Sequence, residues 1–129
     1  MKKVITYGTF DLFHVGHVRL LKRLSDLGDE VIVGCSTDEF NTQKGKKRVV
    51  PFSERVEVLS ACRYVSKVFP EATWDQKISD IQREGAHIFA MGSDCDGKFE
   101  FLRDYCTVIY LPRTDGVSTT EIRMRTKQL

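Results

Sequence analysis

Three observations predict an α/β domain built on a mostly parallel, five-stranded sheet. Strand-like apolar runs alternate with helix-like amphipathic runs along the 129 residues. Such alternation yields right-handed βαβ units. Polar, phosphate-friendly residues also collect after the strands, at the edge where open α/β sheets bind ligands.

The elements follow in order. Val4-Ile5-Thr6-Tyr7 anchors a first strand over 3–7, and Val18, Leu20, Leu21, Leu24 and Leu27 mark a helix over 15–27, with Gly28 as its stop. A second strand covers Glu30–Ser36, and 37–52 is the longest irregular stretch. Loops of that length in compact domains are usually functional. A helix over 53–61, a strand over 64–69 and a helix over 74–84 come next. Thr73-Trp74-Asp75-Gln76 fits a capping box for that helix, and Gly85 fits its left-handed stop. A strand over 87–91, a helix over 99–104, a strand over Thr107–Leu111 and a helix over 119–127 complete the chain. Ser118-Thr119-Thr120-Glu121 fits a second capping box.

The length favours one domain spanning 1–129. Hydrophobic content of 41% supports a core, and a net charge of +2 gives little reason to expect nucleic acid. No apolar run approaches the ~20 residues of a membrane span, so no membrane partner is expected. Cys35, Cys62, Cys95 and Cys106 form neither a C-x-x-C pair nor a zinc spacing. Reduced thiols and no signal-peptide core lead to a cytoplasmic expectation.

His14-Val15-Gly16-His17 stands where the first strand gives way to a helix. Two imidazoles beside a positive helix N-terminus suit an anion. At i and i+3 they share a helix face. Gly16 is useful where a ligand approaches the backbone. From these residues alone three readings stand: a polyphosphate site, a metal pair, or ordinary surface histidines.

H-x-G-H after a strand, preceded by Thr9-Phe10-Asp11, resembles the nucleotidylyltransferase superfamily, which implies a Rossmann-like three-layer domain. Arg113-Thr114-Asp115-Gly116-Val117-Ser118-Thr119-Thr120 looks like the R-T-x-G-[IV]-S-T-[TS] element of its cytidylyltransferase branch. Gly116 permits a tight turn, Ser118 caps a helix, and the hydroxyls and Arg113 add phosphate donors. Nearly the whole chain is similar to the short bacterial glycerol-3-phosphate cytidylyltransferases, including 36–41, 63–65 and 97–99. The resemblance implies that Lys44 and Lys77 serve the glycerol phosphate and Lys46 serves CTP.

What it implies for the site is then specific. His14, His17, Lys46 and Arg113 are the candidate catalytic residues. Thr9, Phe10, Gly16, Asp94, Thr114, Gly116, Ser118, Thr119 and Thr120 join them around CTP. The reaction is cytidylyl transfer from CTP to sn-glycerol 3-phosphate, giving CDP-glycerol and pyrophosphate for teichoic acid or capsular polymer. Mg²⁺ is expected to accompany CTP, held by phosphate oxygens and water rather than by dedicated protein ligands, with Asp11 a candidate outer partner. A homodimer is expected from the family. Lys77 is poorly suited to the quaternary ammonium of choline phosphate. The competing readings are another phosphorylated acceptor such as choline or ethanolamine phosphate, an adenylyltransferase, and a non-catalytic nucleotide-binding or receiver-like module.

The chain departs from the family at two places. Gly92-Ser93-Asp94-Cys95 replaces G-D-D-W, and Arg63-Tyr64-Val65-Ser66-Lys67 replaces R-Y-V-D-E. An acid is lost each time, so Ser66 and Ser93 inherit no role. Arg63 is read as either functional or structural. Trp74 either walls the acceptor pocket or anchors its helix in the core.

Overall fold

The computed structural model describes residues 1–112. The chain runs β1 (Lys3–Gly8), α1 (Val15–Ser25), β2 (Glu30–Ser36), α2 (Asp38–Gln43), α3 (Phe52–Ala61), β3 (Lys67–Glu71), α4 (Lys77–Glu84), β4 (Ile88–Gly92) and β5 (Thr107–Leu111). Two 3₁₀ turns, Ser93–Cys95 and Glu100–Asp104, lie between β4 and β5. The sheet order is β3-β2-β1-β4-β5. Every pairing is parallel, with Ile5 opposite Ile32 on one side and Phe89 on the other. The expected α/β architecture stands, and its sheet is wholly parallel in the described residues.

Both faces of a parallel sheet are covered, so its strands other than the edge strand β3 are mainly apolar. Val4, Val31, Val33, Cys35 and Ala90 pack with Leu21 and Leu24 of α1 and Leu59 of α3. Ile5, Tyr7, Ile32, Phe69 and Phe89 pack with Ile81 of α4 and with Leu102. Strand residues of alternating parity thus feed two cores, which makes the fold three layers. The order reverses at β1, between β2 and β4, and ligands bind outside the carboxyl ends at such a switch.

Several local readings differ. The stretch 37–52 is not all irregular: Thr37 accepts the Phe40 amide and caps α2, a helix too short for a periodicity signal. β3 lies three residues later than the 64–69 reading placed it. A turn at Val65, whose N–H meets the Cys62 carbonyl, delays pairing, and Pro70 is tolerated because β3 is an edge strand. α4 begins at Lys77 rather than 74, because the Gln76 side chain takes the Ala72 and Thr73 amides and holds 72–76 as a turn. Gly85 does end α4 in the left-handed region, φ 65°. Residues 100–104 form a 3₁₀ turn, not an α-helix.

Gly28 does not stop α1, which ends at Ser25 with Asp26 as cap. A Cβ there would lie 2.9 Å from the Lys2 carbonyl oxygen. The glycine serves close approach of the turn to β1. Cys35 is buried, Cys106 is only partly covered, and all four cysteines are unbridged. No helix of the described residues is long and apolar enough to cross a membrane.

Candidate active site

The loop leaving β1 is bent by two non-glycine residues in the left-handed region, Phe10 (φ 54°) and Leu12 (φ 50°). Each such residue costs about 1–2 kcal/mol and persists only where packing over-determines it. Phe10 is buried and its ring meets His17 at a centroid distance of 5.3 Å. The same ring explains Gly8, since a Cβ there would lie 2.8 Å from it.

The strained loop delivers His14 as the N-cap of α1. Its Nδ1 accepts the Gly16 amide at 3.1 Å, and His17 Nδ1 accepts the His14 amide at 3.2 Å. This is a capping box made by two imidazoles. The rings stack with centroids 3.9 Å apart, and Phe13 stacks on His17 from 5.4 Å. An Nδ1 that accepts a hydrogen bond carries no proton, so the neutral ring holds its proton on Nε2. Burial, reinforced by His14, pushes His17 down to about 4, while Asp11 opposes the shift; burial also lowers His14. Near neutral pH both rings are uncharged Nε2–H donors.

Buried groups hold the opposite wall. Asp11 accepts the Val49 amide at 2.8 Å and the Val50 amide at 2.9 Å, tying the lysine loop (residues 44–50, with Lys44, Lys46 and Lys47) to the histidine loop. The Thr9 hydroxyl donates to Asn41 Oδ1 at 2.9 Å, and the Asn41 carbonyl accepts the Lys46 amide at 2.9 Å. Arg55, 2% exposed, donates to the carbonyls of Thr9, Ser36 and Val50 and to the Asp38 carboxylate. One guanidinium thereby fixes the ends of β1 and β2 and the start of α3. Tyr7, Thr9, Phe10, Asp11, His17, Lys46 and Lys47 line the resulting cavity of about 500 Å³.

A second cavity, about 320 Å³, adjoins the first and shares Tyr7, Gly8 and Lys46 with it. Lys44, Lys77 and Lys98 add positive charge, and Phe40, Trp74 and Phe99 add aromatic walls. Trp74 is 60% exposed and meets Phe40 edge-on at 5.1 Å, so it walls this pocket and is not in the core. Glu71 pairs with Lys77 at 2.8 Å. Burial lowers Lys44, with Lys46, Lys77 and Arg55 acting in the same direction and Glu71 against it.

The structure thus brings together Thr9, Phe10, His14, Gly16, His17, Lys44, Lys46 and Lys77. Asp94 is exposed in the 3₁₀ turn after β4, on the same edge of the sheet. Arg63 is exposed and lies over its neighbour Tyr64. Arg113, Thr114, Gly116, Ser118, Thr119, Thr120 and the expected last helix lie outside the described residues. Arg55, Glu71 and Asn41 were not singled out from the sequence. Arg55 left a trace there, an arginine on the apolar face set by Phe52, Val56 and Leu59. Among the described residues no group of three or more His, Cys, Asp or Glu is placed to hold a metal ion.

Residues 5–125 match the cytidylyltransferase-like family model. The chain is 58% identical to a glycerol-3-phosphate cytidylyltransferase of Bacillus spizizenii and 50% identical to one of Staphylococcus aureus. Those matches cover 95% of this chain and 95% and 93% of the relatives. An FAD synthase of Thermococcus kodakarensis is 31% identical over 95% of this chain and 90% of its own. Among solved structures, a lipopolysaccharide core biosynthesis protein from Thermoplasma volcanium superposes with a TM-score of 0.75 at 21% identity. That match covers 89% of this chain and 99% of the other, and it is a likeness of fold. With a five-stranded parallel sheet, paired histidines at its switch point and a family match over most of its length, the chain belongs to the cytidylyltransferase-like family.

Proposed function

We propose that this chain transfers the cytidylyl group of CTP to sn-glycerol 3-phosphate, releasing pyrophosphate. The observation that carries the reading is the adjacency of two cavities with Lys46 at their seam. One is lined by a histidine donor and loop lysines, as a triphosphate needs. The other is small, cationic and aromatic-walled, as a phosphorylated acceptor needs. The glycerol-3-phosphate cytidylyltransferases at 50–58% identity support the same substrates.

In this mechanism an acceptor phosphate oxygen, anionic near neutral pH, attacks the α-phosphorus of CTP. The bond from that phosphorus to the α–β bridging oxygen breaks, and pyrophosphate leaves with the electron pair. No general base is needed. His14 and His17 donate through Nε2–H to phosphate oxygens as charge moves to the leaving group. Lys46 neutralises the triphosphate, joined by Arg113, Ser118 and Thr119. Lys44 and Lys77 orient the acceptor. Catalysis is then positioning and electrostatic stabilisation.

Mg²⁺ bound together with CTP would supply charge neutralisation at the triphosphate. Asp11 spends both carboxylate oxygens on backbone amides, which suits a loop anchor better than a metal ligand. Cytoplasmic action as a homodimer, feeding a glycerol phosphate polymer, belongs to the same proposal. Incubation with CTP and sn-glycerol 3-phosphate, followed by ³¹P NMR, tests it. CDP-glycerol and pyrophosphate should appear in equal amounts; no new diphosphate diester would exclude the reading.

A further inference from the structure

Glu71 is a buried carboxylate in a pocket of cations. It closes β3 and is 3% exposed. Oε2 accepts from Lys77 Nζ at 2.8 Å. Oε1 accepts from the Ser36 hydroxyl at 3.1 Å, whose oxygen in turn accepts from Lys44 Nζ at 2.8 Å. Both ammonium groups also rest on aromatic faces: Lys77 on Tyr7 and Phe99, Lys44 on Phe40. Lys44, Lys46, Glu71, Lys77 and Lys98 line the same 320 Å³ cavity.

A pocket that served only to attract phosphate would be weakened by this carboxylate, since like charges repel across so short a distance. Its placement has another consequence. Lysine is a flexible point charge that gives up its proton readily when desolvated among other cations. The chain Lys77–Glu71–Ser36–Lys44 opposes both tendencies, because it fixes where each Nζ sits and sets a negative charge beside it.

We infer that Glu71 is a positioning residue of the acceptor half of the site, holding Lys77 directly and Lys44 through Ser36 in place for an acceptor phosphate. This rests on the acceptor reading above. The charged groups facing Lys44, itself at the end of α2, are Glu71 of β3, Lys77 of α4, Arg55 of α3 and Lys46 of the following loop, with Tyr7 of β1, Cys95 and Lys98 lining the same cavity.

The test is Glu71→Gln, which keeps the shape and removes the charge. Folding is checked by thermal melting, with Glu71→Gln/Lys77→Met as a second variant that leaves no buried lysine unpaired. The KM for sn-glycerol 3-phosphate should rise about tenfold, the loss expected for a charge-assisted hydrogen bond, and rise further as pH increases. The KM for CTP should stay within about twofold, on the same reasoning that the lost bond lies on the acceptor side. Glu71→Gln added to Lys77→Met should raise the acceptor KM by less than Glu71→Gln does alone, the remainder being the part that acts through Ser36 and Lys44. An acceptor KM that is unchanged or lower overturns the inference, because a carboxylate acting only by repulsion gives that result. ¹⁵N NMR titration of Lys44 Nζ gives an arm independent of turnover. Its midpoint should fall in Glu71→Gln, and an unmoved midpoint overturns the inference. If the unmodified protein turns over no glycerol phosphate, the acceptor reading fails, and the Lys44 titration still decides the role of Glu71.

Discussion

His14 and His17 orient one another. The His17 ring accepts the His14 amide, the His14 ring accepts the Gly16 amide, and the two rings stack at 3.9 Å. The backbone consumes both Nδ1 atoms, leaving Nε2 as the hydrogen-bond donor of each ring. The motif supplies donors of fixed direction and neutral charge, which suits charge moving onto a departing pyrophosphate.

Replacing His17 by Ala should therefore leave a folded protein with kcat reduced by roughly 10²–10³, as for loss of one transition-state donor. Steady-state kinetics at saturating CTP and acceptor, beside a circular dichroism melt, checks it. Normal turnover in the folded variant would remove these histidines from the chemistry.

The same burial ties stability to pH. His17 titrates near 4 in the folded chain against about 6.5 unfolded. Between those values the unfolded chain binds more protons, so stability is complete above about pH 6.5 and falls as pH drops toward 4. His14 shifts in the same direction. Denaturant melts across that window should show the decline, and a His17→Gln variant should show a shallower one.

Asp11→Asn should loosen the lysine loop. An amide in that place offers one acceptor for two backbone N–H groups and turns an NH₂ toward one of them. The expected cost is about 1–3 kcal/mol for the unsatisfied buried donor, with a raised KM for CTP because Lys46 and Lys47 lose their frame. A thermal melt with CTP saturation curves separates the two effects.

Arg55→Met should be among the most damaging single changes. It removes a buried cation and strands the carbonyls of Thr9, Ser36 and Val50 and the Asp38 carboxylate. Breaking one side of such a pair costs about 3–5 kcal/mol. Urea unfolding measures it, and a loss under about 1 kcal/mol would contradict the assigned role of the arginine as the tie between β1, β2 and α3.

Lys77→Ala should mainly raise the acceptor KM and should also lower stability, since Glu71 would lose its ion-pair partner in a buried setting. A change confined to CTP would show the lysine to be misassigned.

The strands with unbroken apolar runs, β1, β2, β4 and β5, were legible in the sequence, because a strand buried on both faces leaves that pattern. β3 is poorly marked in the sequence because its run contains Pro70 and ends in a buried acid, neither of which reads as a strand interior. α2 leaves no signal because six residues cannot show a helical period. Gly28 reads as a helix stop because a close backbone approach and a helix stop leave the same letter. In the site, the residues that would touch ligand carried motif signals. Those that hold them, Arg55, Glu71 and Asn41, did not. Their partners are backbone groups or side chains distant in sequence, and only the folded chain brings them together.

The most direct test of the central claim is pyrophosphate release from CTP, measured with sn-glycerol 3-phosphate, choline phosphate and ethanolamine phosphate in parallel and with ATP in place of CTP. Rapid release with CTP and sn-glycerol 3-phosphate alone is the expected result. Equal or faster release with another acceptor, or with ATP, would contradict it.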